Sequence, residues 1–133
     1  MLNISIVLYQ NNPTQITNLL EDIFASQDIQ LNTIYLVDNS PDNRLQSLPK
    51  LDPRIEYIAA AHNPGYGAAH NLAISKSIEK NVEYHLVVNP DIRFSSTELA
   101  KLINFMQQRS DVGLVMPRVI YPDGKVQHLC KLL

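Results

Sequence analysis

An α/β fold, with a mostly parallel sheet and helices on both faces, is the class this chain predicts, and three observations predict it. Four short apolar runs rich in Val, Ile, Leu and Tyr alternate with three segments whose apolar residues recur at helical spacing. Each run is followed within four residues by Asn, Asp, Ser, Pro or Gly, the residues that end strands and begin turns. No repeat, low-complexity tract or linker interrupts the alternation, so residues 1–133 read as one domain.

The first strand is expected over Asn3 to Tyr9, a continuous β-branched and aliphatic run. Asn11-Asn12-Pro13 then starts a helix, with proline near its first position and Ile16, Leu19, Leu20 and Ile23 on one face. Thr33 to Val37 is a second buried strand, closed by the polar turn Asp38 to Asp42, and Ile55 to Ala59 a third. His62 to Asn71 opens a second helix that runs to about Ile78, and Tyr84 to Val88 is the fourth strand, its end at Leu86 to Val88 read as buried. Ser95 and Glu98 have the spacing of a capping box ahead of Leu99, Leu102, Ile103 and Met106. The tail reads as short strands, Gly113 to Met116, Val119 to Tyr121 and Lys125 to Gln127, around the turn Pro122-Asp123-Gly124.

Composition excludes several classes. At 45% hydrophobic the chain has apolar mass for a real core. Eleven basic and thirteen acidic residues are scattered, which leaves no stripe for a polyanion, so no nucleic acid is expected as a partner. The longest apolar runs are far short of a membrane span and no signal core follows Met1, so a cytoplasmic protein is expected, or one peripheral at the inner face of the membrane. Cys130, the single cysteine, forms neither a disulfide framework nor a thiolate metal site and is expected to be a buried or incidental thiol.

In a parallel sheet of this kind Tyr9-Gln10, Asp38-Asn39, His62 to Asn71 and Asn89 to Asp91 all fall at the strands' carboxyl ends, where open α/β sheets bind ligands. Pro90 cannot donate to a ladder, so Asp91 projects beyond its strand. A lone carboxylate there suits a divalent cation bridging phosphates, which needs only one or two protein oxygens. On the tripeptide alone, a turn capping the next helix is the simpler reading. Gly65-x-Gly67 invites a dinucleotide reading, but it follows the third strand rather than the first, and His70 fills the third glycine position. Glycines before a helix also let backbone N–H groups approach phosphate; the bland alternative is a glycine-rich helix entry with Tyr66 packed on the sheet.

Taken together, Ile4-Ser5-Ile6-Val7-Leu8-Tyr9, Val37-Asp38-Asn39-Ser40, Asn63-x-Gly65-Tyr66-Gly67-Ala68-Ala69-His70-Asn71 and Val88-Asn89-Pro90-Asp91 resemble the ordered motifs of family 2 inverting glycosyltransferases of the GT-A (Rossmann-like) fold. The N-P-D form, with Gly113 to Arg118 and Tyr121 to Gly124, is most similar to the rhamnosyltransferase-like branch. The resemblance implies a metal-assisted transfer, with inversion, of a sugar such as rhamnose from a nucleoside-diphosphate donor to a saccharide or lipid-linked acceptor in polysaccharide biosynthesis. It implies that Tyr9 lines the base pocket, that Asp38 accepts a hydrogen bond from the base, and that Asn63, Gly65, His70, Asn71 and Asn89 surround the ribose and diphosphate. Asp91 corresponds to the last acid of the D-x-D motif and would hold Mg2+ or Mn2+. Asn89 replaces the first acid, and His70 stands where many members carry arginine.

The resemblance also implies a general base in an acidic motif of the carboxyl-terminal half, expected beyond Leu133. Asp111, at a helix exit, and Asp123, in a turn, read as surface residues. The expectation is a truncated GT-A domain whose donor-binding part is present and whose acceptor part is missing, inactive alone and prone to self-association through exposed apolar surface. A non-catalytic nucleotide-sugar-binding or regulatory module uses the same donor loops. A receiver-like signalling domain needs an acidic cluster after its first strand, where Tyr9-Gln10-Asn11-Asn12 supplies none.

Overall fold

The computed structural model describes residues 1–42, 45–60 and 62–127, so His128 and Cys130 lie outside it. The chain forms β1 (Leu2–Leu8), α1 (Pro13–Phe24), β2 (Leu31–Asp38), a 3₁₀ turn (Leu48–Leu51), β3 (Ile55–Ala59), α2 (Tyr66–Glu79), β4 (Tyr84–Val88), α3 (Glu98–Gln107) and a hairpin of β5 (Val119–Ile120) and β6 (Val126–Gln127). It divides into two units, Met1–Ala100 and Lys101–Leu133.

In the first unit β1 to β4 make a parallel sheet in the order β3-β2-β1-β4. β1 is central and buried throughout. Alternation splits its side chains between two faces. Ile4, Ile6 and Leu8, with Ile34 and Leu36 of β2, have no exposure on one face. On the other, Val7, Tyr35 and Val37 pack with Ala69 and Ala73 of α2. The connections β1-α1-β2 and β3-α2-β4 cross the sheet in opposite directions, so right-handed crossovers set α1 and α2 on opposite faces. Helix α1 buries Ile16, Leu19, Leu20 and Ile23, the predicted stripe, and begins where Oδ1 of Asn12 accepts the Thr14 N–H at 2.9 Å with proline following.

The face against α2 also carries polar groups at Asn3 and Ser5, two residues apart on β1, and both are fully buried. Between Leu2 and Asn3 the pairing with β2 skips Asn32, and Oδ1 of Asn3 takes both the Asn32 amide (2.9 Å) and the Thr33 N–H (3.1 Å). From there the bonds continue through Asn3 Nδ2 to Ser77 Oγ (2.8 Å), Ser77 Oγ to His85 Nδ1 (2.7 Å), His85 Nε2 to Ser5 Oγ (2.8 Å) and Ser5 Oγ to His70 Nδ1 (2.8 Å). The hydroxyl of Ser77 donates to the Ala73 carbonyl, so Nδ1 of His85 must supply the hydrogen of its own bond to Ser77. A neutral His85 then accepts the Ser5 hydroxyl at Nε2, and Ser5 accepts from Nδ1 of His70. Nε2 of His70 is left a bare acceptor, buried, with no partner among the described residues.

The sequence-based expectations differ from this architecture in three places. Val87 is 43% exposed, because β4 pairs with β1 only among the described residues and is an edge strand rather than a buried one. Ser95 and Glu98 do pair, the Ser95 hydroxyl donating to the Glu98 carboxylate at 3.2 Å and the Ser95 carbonyl accepting the Glu98 N–H, but α3 starts only at Glu98, so Ser95 lies three residues ahead of the first helical residue rather than directly before it. In the second unit Gly113 to Met116 joins no ladder, whereas the two later runs do form an antiparallel hairpin. Its turn closes by the Gly124 N–H on the Tyr121 carbonyl, with Gly124 at φ +84°, a conformation that favours glycine.

Burial, then the nearby His85, lowers His70 to about 4, and burial lowers His85 as well. Below about pH 6.5 the unfolded chain binds protons that the folded chain refuses, so acid favours unfolding through a window from pH 6.5 down to about 4. For His70 alone the loss is about 2 kcal/mol by pH 5. Thermal melts of the chain between pH 7.5 and 4.5 are expected to show a progressive fall in Tm; a flat profile over that range would contradict a neutral pair of the buried His70 and the half-buried His85.

Candidate functional site

The carboxyl ends of β1, β2 and β4 are neighbours, and the chain leaves β1 toward β2 on one side while β4 lies on the other. Beyond the strand ends at such a reversal of direction is the usual ligand position in open α/β sheets. Tyr9 stands 55% exposed directly after β1, its N–H bonded to Asn11 Oδ1 at 2.7 Å. Gln10, at φ +53°, donates its N–H to the Ser40 hydroxyl at 2.7 Å, and the Asn39 N–H reaches the Leu8 carbonyl at 2.9 Å. The exits of β1 and β2 are thereby tied together.

Asp38 ends β2 and is only 2% exposed. Its Oδ1 accepts the Ser40 N–H at 2.8 Å and its Oδ2 the Tyr57 hydroxyl of β3 at 2.6 Å. Burial first, then the bond to Asp38, raises the Tyr57 phenol far above its ordinary range, so it stays a donor. The carboxylate is oriented from two sides, and each oxygen keeps a further lone pair. Beside it Asn39 is buried, and its Oδ1 has no partner among the described residues. A buried amide oxygen left unpaired is the sort of group that a ligand N–H satisfies.

After β3 the backbone turns through Asn63, at φ +39°, whose Oδ1 accepts the Gly65 N–H at 3.4 Å. Gly65, at φ +90°, precedes the first residue of α2, and a Cβ placed there or at Gly67 would meet nothing within 4 Å. The helix therefore starts with open space over its glycines, and His62 to Ala68 are all exposed. Asn71 is exposed on the same helix. His70 is not on that open side: at 3% exposure it faces the sheet and binds Ser5.

Asn89 to Ile92 form a turn closed by the Ile92 N–H on the Asn89 carbonyl at 3.2 Å, with Pro90 and Asp91 at its centre. It caps no helix, since α3 begins only at Glu98. Asp91 is exposed. Among the described residues no three His, Cys, Asp or Glu side chains gather to hold an ion. One exposed carboxylate nonetheless fits a cation that brings phosphate oxygens with it.

Sequence reasoning missed two groups here. Tyr57, the partner of Asp38, is an unremarked strand tyrosine until the β2–β3 register sets Asp38 beside Ala59. Tyr66 is not packed on the sheet; it is 53% exposed and donates to Asn89 Oδ1 at 2.6 Å. Partial burial and then the charge of Asp91 raise its phenol, which places it under the influence of the same turn. In the second unit Asp111 is held by Arg109 (2.9 and 3.0 Å) and Asp123 by Lys125 (3.3 Å), as expected of surface carboxylates.

A model of the family described as glycosyl transferase family 2 matches residues 4–131. The chain belongs to that family. It is 30% identical over 90 residues to a low-salt glycan biosynthesis hexosyltransferase, Agl10, of Haloferax volcanii, a match covering 67% of this chain and 29% of that protein. An uncharacterised protein, y4gI, of Sinorhizobium fredii is 30% identical over 77 residues, 58% of this chain and 8% of that one. Among solved structures, residues 1–349 of S. aureus TarS in complex with UDP superpose with a TM-score of 0.64 at 20% identity, over 82% of this chain and 32% of that one. The longer TarS structure gives 0.63 at 19% identity, over 91% and 24%. The fold is thus of the GT-A type, and the family 2 chain spans under a third of these relatives.

Replacing Tyr57 by Phe removes one donor from a buried carboxylate without changing the ring. The expected loss is about 1–3 kcal/mol of stability, read by urea denaturation at pH 7. A variant as stable as the parent would mean that Asp38 does not depend on that bond.

Proposed function

We propose that this chain is the donor-binding part of a metal-assisted inverting glycosyltransferase, which moves a hexose, rhamnose on the motif resemblance, from a nucleoside diphosphate to a saccharide or lipid-linked acceptor. The observation that carries this reading is the pair of unlike carboxylates at the strand exits: Asp38 buried and held by two donors, Asp91 exposed at the tip of a proline turn. A buried, pre-oriented acceptor beside the orphaned oxygen of Asn39 suits the N–H of a uracil or thymine base. An exposed carboxylate beyond a strand end suits the phosphate-borne cation. UDP bound to a TarS fold and the hexosyltransferase name of the Haloferax relative support the same substrate class.

In this mechanism Tyr57 and the Ser40 N–H hold Asp38 to receive the base, while Tyr9 offers an exposed ring beside it. Asn63, Gly65 and Asn71 shape the entry to α2, whose first N–H groups favour an anion. Asp91 would hold Mg2+ or Mn2+, which when bound offsets the negative charge left on the departing diphosphate. Removing the acceptor's proton is left to a base outside these residues, since Asp111 and Asp123 are each engaged by a neighbouring cation. A non-catalytic nucleotide-sugar-binding module would share the donor site.

Isothermal titration of UDP and TDP is expected to give tighter binding with Mn2+ than with EDTA. Asp38→Ala should weaken binding by roughly 10- to 100-fold while preserving the metal's enhancement, and Asp91→Ala should abolish the enhancement while preserving the metal-free affinity. No binding at millimolar nucleotide in either condition would overturn the donor-site assignment.

A further inference from the structure

The turn carrying Asp91 is fastened to the first residue of α2 by one bond, from the Tyr66 hydroxyl to Oδ1 of Asn89 at 2.6 Å. Tyr66 has little freedom to leave it. Its ring meets that of His70 edge to face, with centroids 4.4 Å apart and planes at 76°. His70 is in turn fixed to Ser5 at the centre of the sheet. Behind Tyr66 the backbone is set by Gly65 at φ +90°, which other residues rarely adopt. The phenol therefore reaches Asn89 from a rigid base.

The bond decides which end of the Asn89 amide is on offer. An amide has an oxygen that accepts and a nitrogen that donates twice. With one lone pair of Oδ1 engaged by Tyr66 and no partner on Nδ2 among the described residues, the wholly free end that an exposed Asn89 presents beside Asp91 is its nitrogen. An amide nitrogen does not ligate Mg2+ or Mn2+, which take oxygen from this kind of site, but it is well suited to a phosphoryl oxygen. An aspartate at the same position would accept from Tyr66 equally well and present a second negative oxygen.

We propose that Tyr66 is a positioning residue that turns the amide nitrogen of Asn89 outward, so that Asn89 binds the diphosphate directly and Asp91 alone binds the cation. This rests on the donor-site reading above and adds to it a division of labour within the N-P-D turn. It predicts a site in which part of the diphosphate affinity is independent of metal. Asn89 is on this account a gain of an anion-binding donor rather than a weakened metal ligand.

The test is calorimetric titration of the 133-residue chain with UDP, TDP and the nucleoside uridine, each with EDTA and with Mn2+. Asn89→Ala and Tyr66→Phe are expected to weaken diphosphate binding by about 3- to 10-fold in EDTA and in Mn2+ alike, with uridine affinity unchanged. Asn89→Asp keeps an acceptor for Tyr66 and exchanges the donor for a carboxylate, so its metal-free affinity should fall by about tenfold or more and its Mn2+ enhancement should grow. If Asn89→Ala lowers only the Mn2+ enhancement, the asparagine is a metal ligand and the proposal is overturned. Unchanged binding in Tyr66→Phe overturns the positioning role. Should Tyr66→Phe prove unfolded by circular dichroism, Asn89→Asp decides by itself, and an unchanged metal-free affinity in that variant refutes the donor role. A parent chain that binds neither UDP nor TDP in either condition overturns the donor-site reading as well, an outcome distinct from binding with the wrong pattern among the variants.

Discussion

One hydroxyl, that of Ser5, holds together much of what matters in this domain. It lies fully buried in the central strand and is shared by His70 of α2 and His85 of β4. Helix and edge strand are thus keyed to β1 by the same atom, and a slip of either by one residue would strand a buried imidazole without a partner. Burying a polar group unpaired costs on the order of 1–3 kcal/mol, so the network favours one register over its neighbours. The apolar residues of the same interface, Val7, Tyr35, Val37, Ala69 and Ala73, supply burial but little of that discrimination.

The functional edge inherits its geometry from this interior. Gly65 and Tyr66 begin the helix that His70 anchors, and Tyr66 carries the position of that helix across to Asn89. At the other end of the edge, Tyr57 and Ser40 hold Asp38 from separate segments. The two carboxylates are treated differently. One is buried and held from two segments, the other exposed at the tip of its turn, and the proposed division between base and cation rests on that difference.

What was legible in the sequence follows from the range of the interactions concerned. Strand and helix periodicities are local, and β3 and β4 were bounded to the residue while β1 and β2 were off by one or two. The convergence of Tyr9, Asp38, Asn63, Gly65 and Asp91 on one edge followed from parallel topology alone. The interior network was illegible because its partners are far apart in the chain: Asn3 with Ser77, Ser5 with His85. Asn3 and Ser5 were visible as polar residues at period two in an apolar run, the one local trace of a polar stripe inside the sheet. The bond from Tyr66 was illegible because its partner, Asn89, is in another segment, and Gly113 to Met116 reads as a strand because composition records extended preference but not whether a neighbouring strand exists.

The central place of β1 has a temporal consequence. Leu2 pairs with Leu31 on one side and with Tyr84 on the other. As the chain leaves the ribosome, the first of these partners follows soon, but the second appears only after roughly 80 residues, a delay of about 4–16 s at ordinary rates of synthesis. A β1–β2 pair formed in that interval would display Ser5 and the Asn3 amide nitrogen beside an open backbone edge, where water could satisfy them until α2 and β4 arrive. Two polar side chains in the core strand would make such a pair less adhesive than an all-aliphatic strand.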